Sequence, residues 1–320
     1  MPLSKSMFRR ISPVLVSLIL VWFAVSVLPA TAESHLVWGR AVGDLYQIEA
    51  QGIDLRTQGI RLLRLDDCLH QPFAPNASVD DWFVAAHSIN AEILWMLDMT
   101  YPGHSNNGLV IGTSQDADIQ HGVDVARAHP EIAYFELGNE FYMSEWNVSE
   151  YVAFAYRMRD AIKAVRPGAK IGIIDNALFD DENWTPAIRA VSRDFDWVAI
   201  HSYPDSIFPH WVSGQAAQKA ALHGRPIGVT EWDITYWNPS AQALFDTPQY
   251  ADWVRQQLTE MAAQGTLIAN YHHAIHRNWA NGCGASGGGL AKRGPDSLEN
   301  LVFRQTAPPA PPAPTPEPNT

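Results

Sequence analysis

Two glutamates lie at the ends of short apolar runs in the middle of the chain. Glu140 follows the run Ile132–Asn139, and Glu231 lies near the end of the run Pro226–Asp233. Two carboxyl groups that converge on one site are what cleavage of a glycosidic bond requires, because one protonates the leaving oxygen while the other attacks or assists at the sugar carbon. Their separation of 91 positions in the sequence (231 − 140) suits this chemistry only if the fold brings the two run ends together.

Other polar and aromatic residues near the ends of apolar runs could support such a site. Arg64 lies near the end of an earlier run, and Asn139 directly precedes Glu140. His201 and Tyr203 end a third run and, as alternate residues of a strand, point to the same side. A flat indole packs well on the apolar face of a pyranose ring. Five tryptophans lie on or just beyond run ends: Trp95, Trp146, Trp232, Trp237 and Trp279.

The elements that must position these residues alternate between short apolar runs and longer amphipathic stretches, which indicates βα units and a parallel sheet. Eight such pairs in about 240 residues predict a (β/α)8 TIM barrel, a fold that keeps its chemistry at the C-terminal ends of the strands. A doubly wound open sheet is the alternative, but no G-x-G-x-x-G turn follows the first run. The predicted strands are His35–Ala41, Ile60–Asp66, Glu92–Met99, Ile132–Asn139, Lys170–Asn176, Trp197–Tyr203, Pro226–Asp233 and Leu267–Ile275.

Three of the run endings resemble those of clan A of the glycoside hydrolases over residues 36–280. These endings are Leu-Gly-Asn-Glu at 137–140, His-Ser-Tyr at 201–203 and Glu-Trp at 231–232. The resemblance implies that Glu140 is the general acid/base and Glu231 the nucleophile of a retaining enzyme. It also implies that Asn139 hydrogen-bonds the 2-hydroxyl of the sugar, and that Arg64 holds the nucleophile ionised through a charge-assisted hydrogen bond.

The same resemblance assigns supporting roles to the remaining candidates. His201 and Tyr203 would orient the acid/base and contact the nucleophile, and Trp279 would form the floor of the sugar site. Trp232 is expected at the sugar site from its position at the end of a run. The enzymes concerned act on β-linked polysaccharides and their fragments, and include β-xylosidase-like and exopolysaccharide-degrading members. We therefore expect a carbohydrate substrate and no cofactor or metal; which sugar and which linkage stay open, with a slight preference for endo action because the loops are short.

Two other functions remain open. His272, His273 and His276, with Asp66 and Asp98 at other strand ends, could serve a metal-dependent barrel hydrolase, although the first run lacks the internal His-x-His pair that such barrels use. The second alternative is a barrel that binds carbohydrate without catalysis. The formal net charge of −12 argues against nucleic acid as a partner, because a basic surface is lacking.

The two ends of the chain have the composition of processing and linker segments. Residues 1–32 combine Lys5, Arg9 and Arg10 with the apolar run 11–29 and an A-x-A site, which predicts a secretory signal peptide; an uncleaved membrane anchor is the alternative. Residues 307–320 contain seven prolines and are expected to be an extended tail or tether. The catalytic domain is therefore expected over 33–306, in a secreted, periplasmic or surface protein that acts as a monomer.

Export predicts that Cys68 and Cys283, the two cysteines of the chain, form a disulfide. Both follow strands on the predicted catalytic face, so the bond would hold the glycine-rich segment 278–289 near the site. Mass spectrometry of the unreduced, exported protein after alkylation should find no alkylated thiol. Two alkylated cysteines would contradict this prediction.

Overall fold

The computed structural model describes residues 37–41, 60–66, 79–97, 114–143, 147–177, 183–235, 239–245, 247–272 and 302. All of them belong to the unit His35–Thr320, one of the two units into which the chain divides. The predicted signal segment 1–32, the tail 307–320, Cys68 and Cys283 lie outside these described residues. Within the described ranges, no helix has both the length and the apolar character needed to cross a membrane.

Eight parallel strands form a closed barrel in chain order, and the eighth strand pairs with the first. Each predicted run contains one strand, so the (β/α)8 prediction is confirmed, and closure excludes the open doubly wound sheet. The largest difference is at the last run, where the strand ends at Tyr271. The strands are β1 (Val37–Ala41), β2 (Leu62–Asp66), β3 (Glu92–Leu97), β4 (Ile132–Leu137), β5 (Lys170–Ile174), β6 (Trp197–Ser202), β7 (Ile227–Trp232) and β8 (Ile268–Tyr271).

Three of the helices that surround the barrel begin at residues whose side chains satisfy a backbone N–H group of the first turn. The side chains of Ser114, Asn147 and Thr247 each accept a hydrogen bond from the first turn of the helix that follows. Gly224 and Gly265 end two of the helices in the left-handed conformation, which glycine adopts without strain. The helices are α1 (Val79–Ser88), α2 (Gln115–Ala128), α3 (Val148–Val165), α4 (Trp184–Val191), α5 (Trp211–His223), α6 (Pro239–Gln242) and α7 (Pro248–Gln264).

A tryptophan fills the barrel interior near the start of the strands. The indole of Trp197 is fully buried and meets the ring of Tyr134 edge-on. It lies so close to β5 and β7 that a Cβ on Gly172 or Gly228 would come within 2.3 Å or 2.7 Å of its ring. Because the N-terminal half of the barrel is packed in this way, polar side chains have room only at the C-terminal half.

An irregularity in β7 changes which side chains face the barrel interior. Val229 pairs with Ile200, but the next pair is His201 with Glu231, so Thr230 is an extra residue on β7. Successive strand residues normally face opposite sides, and a bulge alters that alternation. Thr230 and Glu231 can therefore both contact buried polar groups of the neighbouring strands.

A buried group of charges centred on Asp175 joins the end of β5 to α4 and α5. Asp175 accepts hydrogen bonds from Lys219 Nζ at 2.8 Å and from Thr185 Oγ1 at 3.0 Å, and His223 Nε2 lies 2.9 Å from the same carboxylate. The side chains of Asp175, Lys219 and His223 have no solvent exposure. A buried charge that loses its partner retains its desolvation penalty, so each member depends on the others.

Replacing the lysine of this cluster should therefore destabilise the fold. We expect Lys219→Met to lower the free energy of unfolding by about 3–5 kcal/mol, because Asp175 loses its cationic partner in a dry environment. Lys163 also pairs with Asp196 at 2.8 Å, but both side chains are about a third exposed. Lys163→Met should therefore lower the free energy of unfolding by at most about 1 kcal/mol. Urea unfolding followed by tryptophan fluorescence measures both values. Equal losses in the two variants would contradict the prediction.

Candidate active site

The polar side chains at the C-terminal end of the barrel converge on one cluster. Six of its members were predicted from the sequence, and two others, Glu136 and His272, were not predicted as members of this site. Each member comes from a strand or from the residues that follow it. They are Arg64 on β2, Glu136 on β4, Asn139 and Glu140 beyond β4, His201 and Tyr203 at the end of β6, Glu231 on β7 and His272 beyond β8.

Arg64 divides its guanidinium among three acceptors. Nε donates to Glu136 Oε2 at 2.7 Å, Nη1 to Glu231 Oε1 at 2.6 Å, and Nη2 to Asn139 Oδ1 at 3.1 Å. Arginine has only donors, so the oxygen of the Asn139 amide must face it. The amide nitrogen is therefore the atom of Asn139 that can donate to a ligand, as expected for a residue that binds a sugar hydroxyl.

The turn after β4 holds Glu140 in an uncommon backbone conformation. Gly138 has a φ of +88°, and a Cβ at this position would lie 1.8 Å from the ring of Phe141. Glu140 itself has a φ of +50°, which is rare for a residue other than glycine, asparagine or aspartate. Strain of this kind is concentrated at functional sites, where the surrounding structure maintains it.

His201 lies between three carboxyl groups and has a fully buried side chain. Nδ1 lies 3.0 Å from Glu140 Oε1 and 3.6 Å from Glu231 Oε2, and Nε2 lies 3.5 Å from Glu136 Oε1. The last two distances are too long for good hydrogen bonds, so these contacts are ion pairs. Burial alone would lower the pKa of His201, but Glu231, Glu136 and Glu140 outweigh it and raise this pKa to about 9. The imidazole is therefore positively charged at neutral pH.

Tyr203 and His272 complete the environment of Glu231. The Tyr203 hydroxyl donates to Glu231 Oε2 at 2.6 Å and lies 2.5 Å from His272 Nδ1. Because the phenol has a single proton, His272 Nδ1 must be the donor in the second contact. His272 Nε2 also lies 3.6 Å from Glu231 Oε2. Both oxygens of Glu231 thus accept hydrogen bonds, an arrangement that favours the ionised carboxylate.

Glu136 is the member of the cluster that sequence reasoning missed most clearly. Its carboxylate is fully buried and accepts hydrogen bonds from Arg64 Nε and, at 2.6 Å, from Thr230 Oγ1. Burial would raise its pKa, but Arg64 and His201 lower it below the ordinary value. A signal was present, because a glutamate inside the apolar strand Ile132–Leu137 needs a buried partner.

The structure corrects the prediction that Trp232 contacts the substrate. Trp232 is fully buried and packs against Trp253 of α7 and Tyr271 of β8. Its neighbour Glu231 faces the site, so Trp232 points outward to the helices. Trp95 is buried in the same way, stacked with Phe83. The other three tryptophans proposed for the sugar site, Trp146, Trp237 and Trp279, lie outside the described residues.

Among the described residues, one group has the geometry to surround a metal ion. Glu140, His201 and Glu231 each offer one ligand atom, and these atoms lie within 4.8 Å of one another. Arg64 and Tyr203 already donate to the two oxygens of Glu231, so an ion would compete with two strong donors and with a positively charged imidazole. His273, His276 and Asp98 lie outside the described residues, as does the side chain of Asp66.

Comparison with known structures shows what this architecture is similar to. A glucosidase from Croceicoccus marinus matches with a TM-score of 0.63 at 15% identity, over 86% of this chain and 66% of that one. The GH53 catalytic domain of Ignisphaera aggregans matches with a TM-score of 0.57 at 15% identity, over 87% of this chain and 98% of that one. GH5_18 from Streptomyces cattleya matches with a TM-score of 0.61 at 13% identity, over 85% of this chain and 79% of that one.

These matches define the class of fold: a (β/α)8 barrel of the kind found in several glycoside hydrolases. The sequence itself matches no protein-family model and no curated protein. The chain spans about two thirds of the Croceicoccus glucosidase and 35% of a Bacteroides uniformis β-glucuronidase that also matches. At such low identity the likeness establishes the fold alone, and the function has to be argued from the site.

The turn before Glu140 gives a testable prediction about Gly138. Gly138→Ala places a Cβ against the Phe141 ring at a positive φ, so we expect the free energy of unfolding to fall by at least about 1 kcal/mol. Gly214 lies in α5 with no atom within 4 Å of an added Cβ, and Gly214→Ala should be neutral or stabilising by up to about 1 kcal/mol. Urea unfolding measures both changes. A Gly138→Ala variant as stable as the wild type would show that the turn relaxes readily.

Proposed function

We propose that the protein is a retaining glycoside hydrolase that cleaves β-linked polysaccharide or oligosaccharide chains. The observation that carries this proposal is the pair Glu140 and Glu231, which have oxygens within 4.8 Å of each other. Arg64 and Tyr203 hold one of these carboxyl groups, and His201 contacts the other. The pair lies at the C-terminal end of a (β/α)8 barrel, where this fold carries its chemistry.

The charges around the pair suggest how the two glutamates divide the work. Arg64 donates to Glu136 and Glu231, and the charged His201 lies against all three carboxyl groups. Glu140 is the most exposed of the three, with a side chain that is 24% accessible. It is therefore the group best placed to exchange a proton with a substrate, and Glu231, fixed by two donors, is best placed to attack.

Double displacement follows from these roles. In the first step a Glu231 oxygen bonds to the anomeric carbon while the glycosidic bond breaks, and Glu140 gives its proton to the departing oxygen. In the second step Glu140 takes a proton from water, the resulting hydroxide attacks the anomeric carbon, and the bond to Glu231 breaks. Two inversions leave the anomeric configuration unchanged.

The separation of the carboxyl groups is the argument for retention. An inverting enzyme keeps its carboxyl groups about 6.5–9.5 Å apart to leave room for a water, whereas a retaining pair lies about 5–5.5 Å apart. One oxygen of Glu140 and one of Glu231 lie within 4.8 Å of each other, and this close approach favours the shorter range. Asn139, whose amide nitrogen faces away from Arg64, would donate to the 2-hydroxyl of the sugar.

The setting of this activity is also part of the proposal. The basic and apolar composition of residues 1–32 supports export to the periplasm, the cell surface or the medium, with the proline-rich tail 307–320 as a tether. The glucosidase, β-glucuronidase and arabinofuranosidase among the matching structures support a carbohydrate substrate. A monomer suffices for this mechanism, because one chain contributes both glutamates.

A metal-dependent hydrolase is the second candidate, since Glu140, His201 and Glu231 could surround an ion. Its requirement is a bound metal that activates water. Metal analysis of the purified protein, together with activity after chelation, separates the two functions. Activity that survives chelation in metal-free protein supports the glycosidase, and activity that depends on a stoichiometric ion supports the metalloenzyme.

The mechanism predicts different consequences for the two glutamates. Glu231→Ala should nearly abolish turnover, because no covalent intermediate can form. Glu140→Ala should retain activity on aryl glycosides whose leaving group needs no proton, while losing activity on natural linkages. The exposed Glu150 on α3 is the matched control, and Glu150→Ala should leave turnover unchanged.

Proton NMR of the freshly released product, recorded before mutarotation, tests the stereochemistry. We expect the first anomer to have the configuration of the substrate. Release of the opposite anomer would overturn the double-displacement mechanism even if both glutamates prove essential.

A further inference from the structure

We propose that Glu136 is a positioning residue whose negative charge keeps Arg64 and His201 in the orientations that the reaction at Glu231 and Glu140 requires. This inference rests on the proposed function and adds a third carboxylate to it. Glu136 lies within β4, and its side chain has no solvent exposure, so it acts through other residues and not by contact with a substrate.

The contacts of Glu136 use both of its oxygens. Oε2 accepts from Arg64 Nε at 2.7 Å, and Oε1 accepts from Thr230 Oγ1 at 2.6 Å. Oε1 also lies 3.5 Å from His201 Nε2. The carboxylate is thus shared by the two buried cations of the site, Arg64 and His201. Its third partner, Thr230, is the extra residue of the bulge in β7.

The contact with Arg64 determines how that arginine meets the nucleophile. Arginine can present two parallel N–H groups to one carboxylate, and such a bidentate pair is stronger than a single contact. Here Nε is occupied by Glu136 and Nη2 by Asn139, so Arg64 reaches Glu231 through Nη1 alone. A single donor to Oε1 orients Glu231 but offsets less of its negative charge than a bidentate pair would. Glu231 therefore keeps its ability to attack.

The contact with His201 maintains the positive charge of the imidazole. The ionisable groups that face this ring are Glu136 and Glu140 from β4 and its following turn and Glu231 from β7. Glu136 is the only one of the three on the Nε2 side. Without it, a charged imidazole would have a buried N–H with no anionic partner on that side.

The isosteric variant Glu136→Gln removes the charge while keeping the shape. The imidazole proton of His201 should then dissociate at lower pH, because the glutamine cannot compensate a charged ring. The Cε1–H resonance of His201, assigned by its loss in His201→Gln, should titrate near pH 9 in the wild type, as its pKa implies. Its midpoint should move down by about one pH unit in Glu136→Gln.

The kinetic effect should fall on the chemical step. Losing one charge-assisted hydrogen bond corresponds to a loss of about 10- to 100-fold in kcat. KM should change little, because Glu136 does not contact the substrate.

Thr230→Val is the matched control. It removes the hydroxyl contact at the same buried carboxylate but leaves the charge in place, so the midpoint of His201 should stay near its wild-type value. A general loss of packing in this pocket would affect both variants alike, whereas an electrostatic role affects only Glu136→Gln.

The outcomes separate this inference from the proposed function. A wild-type His201 midpoint near the ordinary 6.5, or a midpoint and kcat that do not change in Glu136→Gln, would overturn the role of Glu136 while leaving the glycosidase proposal intact. The wild-type midpoint keeps the role falsifiable even if Glu136→Gln fails to fold, because an imidazole that is neutral at neutral pH would need no anion at Nε2. A wild type that hydrolyses no glycoside, in a protein where Glu136→Gln still lowers the midpoint of His201, would overturn the proposed function and retain the electrostatic role of Glu136.

Discussion

The buried guanidinium of Arg64 is the group on which the arrangement of the site depends. It donates to Glu136, Glu231 and Asn139 from β2, and so links side chains from three strands and the turn after β4. A buried cation must have anionic or polar partners at good geometry, because its desolvation penalty is otherwise uncompensated. This requirement couples the positions of the acceptors to one another: Glu231 cannot move away from Arg64 without leaving a charge exposed to an apolar interior.

Two irregularities of the backbone make this network possible within a regular barrel. The extra residue Thr230 lets β7 direct two consecutive side chains toward buried polar groups, which a strict two-residue alternation forbids. The left-handed Gly138 and the positive φ of Glu140 turn the chain sharply after β4, so that Glu140 points back toward His201. Bulges and strained turns are found next to active sites because they redirect side chains that the regular element would misplace.

The order of the strands, and the two glutamates at strand ends that the barrel brings together, could be predicted because both depend on local pattern. Alternating apolar runs predict βα units, and a barrel must bring the ends of its strands together. The direction of an individual side chain could not be predicted in the same way. Trp232 was expected at the substrate because it lies near the end of a run, but it is adjacent to Glu231, and adjacent strand residues face opposite sides. Glu136 was missed because a single glutamate inside an apolar strand identifies neither Arg64 nor His201 as its partner, and those contacts depend on closure of the barrel.

The two buried charge clusters differ in a way that bears on function. In the cluster of Asp175, Lys219 and His223 every side chain is fully enclosed. A substrate therefore has no access to a proton on any of these groups. The cluster around Arg64 combines an enclosed member, Glu136, with Glu140, which is partly accessible. Enclosed charges supply a fixed field, and an accessible group within that field can exchange a proton with a bound molecule. Accessibility of one member, and not the number of buried charges, is therefore what distinguishes the cluster around Arg64 from the cluster around Asp175.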